Sequence, residues 1–89
     1  LSSDAFVYYQ AIEFVGTNLV NNTIKLKVNN PSLNINQLNI YNSLGQVVKT
    51  IRLNNTIYIN ENISSLSQGI YYIAAPSFKI EPLKFIKVD

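Results

Sequence analysis

Two kinds of side chain in this 89-residue chain could do chemistry, carboxylates and amines. The carboxylates are Asp4, Glu13, Glu61, Glu81 and Asp89. They sit far apart, and no two have the spacing of an acid/base pair or a calcium loop. The chain has no His, so a Ser-His-Asp triad and a His-ligated metal are excluded. It has no Cys, so it offers neither a disulfide nor a thiolate. The glycines, Gly16, Gly45 and Gly69, are isolated and form no phosphate-cradling loop. No catalytic role, metal or cofactor is expected. The six lysines and Arg52 leave a net charge of only +2. They are too scattered for nucleic acid, which calls for clustered cations on one face. Six tyrosines, Tyr8, Tyr9, Tyr41, Tyr58, Tyr71 and Tyr72, could stack on sugars, but there is no Trp beside them. Packing in the core and at its rim is their better reading. What remains is recognition by surface shape and charge.

The elements that must position such a surface have a period of two. In "TIKLKV", Ile24, Leu26 and Val28 alternate with Thr23, Lys25 and Lys27, giving one buried and one wet face. "QLNIYN" alternates Leu38 and Ile40 with polar neighbours. "QVVKTIRL" is rich in β-branched residues, and "TIYIN" sets Ile57 and Ile59 opposite Thr56 and Tyr58. "GIYYIAA" is apolar on both faces and reads as a central strand. "AIEFV" (11–15) predicts an early strand, and "FVYYQ" before it is either a strand or linker. The last strand is "LKFIKV", with a short "FKI" before it at 78–80. Pro82 cannot donate to a ladder, so the last strand should begin at Leu83 and lie near an edge, open to pairing with another chain.

Turn residues punctuate these runs. "NNPS" (29–32) and "NSLG" (42–45) are turn candidates. In the second, Asn42 can cap the turn and Gly45 can take the positive φ of a type I turn with a G1 bulge. Asn54–Asn55 can form a two-residue hairpin, because Asn tolerates the left-handed region. "NISSLSQG" (62–69) amounts to a helical turn or a bent loop. Short strands with turns every 8–12 residues indicate an all-β, Ig-like antiparallel β-sandwich of about seven strands. The chain suffices for one modest core, burying roughly 60–65% of its unfolded surface. No apolar run approaches the ~18 residues of a membrane span, so direct membrane insertion is not expected. A monomer is expected. Starting at Leu1, the chain reads as the end piece of a longer protein. Residues 1–10 would then be linker or the end of a preceding segment, and 11–89 the domain.

Three stretches fall in an informative order. "LNIYNSLGQVVKT" (38–50) holds Asn42 and Gly45 in a strand, turn and strand. "ISSLSQGIYYI" (63–73) holds Leu66, Gly69 and Tyr71 in an L-x-x-G-x-Y pattern. "KFIKV" (84–88) closes the chain. Together they resemble the type A C-terminal sorting domain of the Bacteroidetes type IX (Por) secretion system. Members usually open with a Tyr-Pro-Asn-Pro motif; here that place holds "FVGTNLVNN" (14–22), without either proline.

The resemblance implies a seven-stranded β-sandwich that serves as an export address. Its parent would cross the periplasm and then the outer membrane, to the cell surface or the medium. The implied partners are the outer-membrane translocon, a shuttle protein and a sortase-like signal peptidase that commonly removes the domain. The residues implied in translocon recognition are Lys84, Phe85, Ile86, Lys87, Val88, Gly69 and Tyr71, with Asn42, Gly45 and Leu66 as structural motif positions. The residues themselves leave a rival open: a non-catalytic Ig-like structural or adhesive module, with carbohydrate binding included. The two differ at the chain's end. A structural module tolerates a polar tag after Asp89, whereas a terminally read signal does not.

Overall fold

Among the described residues, the alternation in the sequence becomes eight strands in two facing sheets. The computed structural model describes residues 11–77 and 82–89. The expected linker at 1–10 and the short strand at 78–80 lie outside the described residues. The strands are β1 (Ile12–Phe14), β2 (Leu19–Val20), β3 (Thr23–Val28), β4 (Gln37–Asn42), β5 (Val47–Arg52), β6 (Tyr58–Asn62), β7 (Gly69–Ala74) and β8 (Leu83–Lys87). One sheet has the order β1-β3-β6 and the other β2-β8-β7-β4-β5. Every pairing is antiparallel except β2 with β8. This is the expected all-β sandwich, with β2 as an added strand.

Period two sorts the side chains. Ile24, Leu26 and Val28 of β3 point inward with Ile12 and Ile59. From the facing sheet come Leu38, Ile40, Ile51, Tyr71, Ile73, Phe85 and Val20. Phe85 is where the sheets meet. Its ring stacks on Tyr71 of β7 (centroids 5.4 Å apart, planes at 19°) and takes Phe14 of β1 edge-on (6.4 Å, 73°). Offset and edge-to-face pairs of this kind add roughly 0.5–1.5 kcal/mol to simple burial. The other margin is closed by Lys49 of β5, whose Nζ lies 3.3 Å from Glu61 Oε2 of β6.

The turns follow their residues. Asn42 Oδ1 accepts from the amides of Leu44 and Gln46, both at 3.0 Å, and Gly45 takes φ +84°. The Asn42 amide in turn donates to the Gln46 carbonyl at 2.9 Å, which completes the expected G1-bulge hairpin. A second bulge follows at once, where Val48 is the extra residue between the pairs Tyr41↔Val47 and Ile40↔Lys49. "NNPS" becomes a single 3-10 turn at Pro31–Leu33, ended by Asn34 in the left-handed region.

Two expectations are corrected. Asn54–Asn55 is not a hairpin. Asn55 does take a positive φ of 53°, but β5 pairs with β4 and β6 with β3, so the link crosses between sheets. The last strand does begin at Leu83 and lie near an edge, but it is not open to another chain along its length: the two-residue β2 pairs on its outer side.

Candidate functional site

The terminal strand holds most of the residues that sequence reasoning pointed to, and the pleat divides them. Leu83, Phe85 and Lys87 point inward; Lys84, Ile86 and Val88 point outward. On β7 the partners divide in the same way. Gly69, Tyr71 and Ile73 lie opposite Lys87, Phe85 and Leu83, while Ile70 and Tyr72 lie opposite Ile86 and Lys84. So Phe85 and Tyr71 are core, and they do not present their rings outward. Tyr71 also donates its hydroxyl to the Ser67 carbonyl at 2.7 Å, fixing the loop before β7. Leu66 packs half-buried against the core from that loop, and its amide donates to the Ile63 carbonyl at 3.0 Å.

Lys87 sits on the inner face and has a hydrogen-bond partner there. Only 4% of it is exposed, and its ammonium donates to the Val88 carbonyl at 3.0 Å. Opposite it is Gly69 at φ +152°, which places no side chain beside the lysine stem. The stem can therefore lie along apolar surface while the head reaches the end of the sandwich. Gln68, just before Gly69, donates its side-chain amide to the Asp89 carboxylate, so the chain's last residue is tied to this turn. Lys84 differs: it is exposed and has no ion-pair partner among the described residues.

The backbone of β8 is engaged on both sides. β7 pairs with it from Gly69↔Lys87 to Ile73↔Leu83. On the other side the amides of Ile86 and Val88 donate to the carbonyls of Asn18 and Val20, at 2.9 and 2.8 Å. Asn18 Nδ2 adds a contact to the Lys84 carbonyl at 3.4 Å. These partners come from the stretch that replaces the proline-containing motif. With Ile86 to Val88 already paired on that side, a foreign strand there would have to displace β2.

Sequence reasoning missed the outward residues beside β8: Leu19, Ile70 and Tyr72. Ile70 and Tyr72 had a readable signal, since they carry the opposite parity to Tyr71 and Ile73. Leu19 had none, because a two-residue parallel strand leaves no period. Among the described residues there is no group of three His, Cys, Asp or Glu side chains that could hold a metal. Among them also, no helix is long and apolar enough to cross a membrane.

The model of the secretion system C-terminal sorting domain family matches residues 18–86, most of the chain. The chain belongs to this family. It is a C-terminal sorting signal of the type IX secretion system, and its β-sandwich is the body of that signal. Sorting signals of this family are not catalytic, act together with the secretion machinery, and direct export to the cell surface or out of the cell. No curated protein and no solved structure matches the chain.

Proposed function

We propose that the sorting domain, residues 11–89, is read as a folded sandwich by the type IX outer-membrane translocon after its parent reaches the periplasm. A shuttle protein and a sortase-like signal peptidase then act on it, and the peptidase removes it. The observation that carries this reading is the double-sided pairing of β8. A tail read as an extended strand would have to leave both neighbours and take Phe85 out of the core. A folded face costs nothing to present. In this reading Lys84, Ile86 and Val88 make contact. Phe85, Lys87, Gly69 and Tyr71 hold β8 in phase, and Asn42, Gly45 and Leu66 shape the turns.

The test fuses the whole chain behind a reporter with its own inner-membrane signal, in a bacterium with a working type IX system. Export of the reporter is expected. Removal of residues 84–89 should hold it in the periplasm. A folded fusion that stays in the periplasm overturns the reading. A polar tag after Asp89 separates it from a tail read as an extended strand: the folded face keeps export with the tag in place, whereas a terminally read tail loses it.

A further inference from the structure

The two outward faces of this sandwich are unlike. On the three-stranded sheet the outward pairs are polar, such as Lys25↔Asn60, and Lys27 lies 6.0 Å over the Tyr58 ring. The five-stranded sheet is polar at one end only. There Asn39 Oδ1 accepts from Gln37 Nε2 and Thr50 Oγ1, both at 3.1 Å, and Arg52 Nη1 donates to Gln37 Oε1 at 3.4 Å. The other end is apolar. Leu19, Ile86 and Ile70 form one row across β2, β8 and β7. Tyr72, Tyr41 and Val47 continue the next row from Lys84. Leu19 is 55% exposed, Val47 51% and Ile70 41%. Scattered apolar residues are normal on a surface, but rows in register across four strands mark an interaction site.

We propose that this apolar end of the five-stranded sheet is the docking face for a protein of the export machinery. The partner presents an aliphatic surface with a carboxylate placed to meet Lys84. This rests on the sorting-signal reading above and names the surface that it uses. Charge decides between the occupants. The face carries Lys84 and Arg52, Lys84 has no ion-pair partner among the described residues, and the carboxylate at its rim, that of Asp89, is already held by Gln68. Two copies packed face to face would bring Lys84 no free carboxylate, which does not favour association. An anionic bilayer is held by clusters of four or more cations, and two at opposite margins do not make one. An aliphatic surface with one carboxylate satisfies both the rows and Lys84.

The test places Ile70→Asp, Leu19→Asp and Lys84→Glu singly in the whole-chain reporter fusion. Tyr58→Asp, on the outward face of the other sheet, is the control. Each of the first three should cut export about ten-fold or more, the effect of losing one central interface contact. Tyr58→Asp should leave export unchanged, and all four domains should melt near the parent temperature. Ile70→Ser and Leu19→Ser replace any Asp variant that does not fold. Normal export of the folded face variants overturns the docking face. If removal of 84–89 still blocks export in that case, the sorting-signal reading survives; if it does not, that reading falls too. Sedimentation equilibrium showing a dimer that Ile70→Asp dissolves would assign the face to a second copy. Cosedimentation with phosphatidylglycerol vesicles, lost in Lys84→Glu, would assign it to lipid. Either result overturns the proposal.

Discussion

The amide of Val88 donates to the carbonyl of Val20 at 2.8 Å, joining the two ends of the domain through β2 and β8. This bond and its companion from Ile86 to Asn18 turn a would-be edge into an interior strand. Edge strands offer unpaired backbone to any passing chain, and a covering strand removes that hazard. The amides of Ile86 and Val88 should therefore exchange slowly with solvent. Val20 is buried, so Val20→Asp should loosen β2 and speed exchange at those two amides by about ten-fold or more, with little change at the β4–β5 ladder. Hydrogen exchange resolved by residue checks this.

Phe85→Ala should be among the most damaging substitutions. It removes a fully buried ring and two aromatic contacts, at a cost of about 3–5 kcal/mol. For a domain of this size each kcal/mol lowers the melting temperature by roughly 4–8 °C. Thermal melts should show Phe85→Leu losing markedly less.

Gly45→Ala tests the hairpin turn. No atom lies within 4 Å of where its Cβ would stand, so the penalty comes from φ +84° alone. About 1 kcal/mol or more is expected. Gly45→Asn should cost less, because Asn tolerates the left-handed region. Denaturant midpoints at equal slope distinguish the two.

The Lys49–Glu61 pair joins the sheets at the margin opposite Phe85, with both side chains a little under a third exposed. A double-mutant cycle should give a coupling of about 0.2–1 kcal/mol. In 1 M salt, where the screening length is about 3 Å, most of it should vanish.

Lys87 and Lys84 should part company. Lys87→Met keeps the stem, and water can reach the Val88 carbonyl in place of the ammonium. Stability should change by less than about 1.5 kcal/mol, with export retained. Lys84→Glu should leave the melt unchanged and reduce export. Melting and export assays on the same fusions check both.

Much of the fold was legible because the chain is simple where its strands are long. β3, β4 and β7 each run six residues, and alternation or apolar density marks all three. Asn42 and Gly45 announced their turn through side-chain acceptors and φ. β2 was not legible. Its two residues carry no period, and its pairing depends on Ile86 and Lys87 at the far end of the chain. Local sequence has no means of stating such a contact. Asn55 shows the same limit, since a positive φ suits a hairpin and a crossover equally. At β8 the inward turn of Lys87 was there to read in its parity with Phe85. Two lysines three apart look like a pair, yet an odd spacing on a strand puts them on opposite faces.

The split of β8 into Leu83, Phe85 and Lys87 against Lys84, Ile86 and Val88 makes the signal sensitive to counting. A slip of the β7–β8 register by one residue would swap the two sets, driving Lys84 and Ile86 into the sandwich and turning Phe85 out. A slip of two would restore the phase and only move the strand along its neighbour. A short strand used on both faces thus behaves as a reading frame of two, in which odd changes garble the message and even ones spare it.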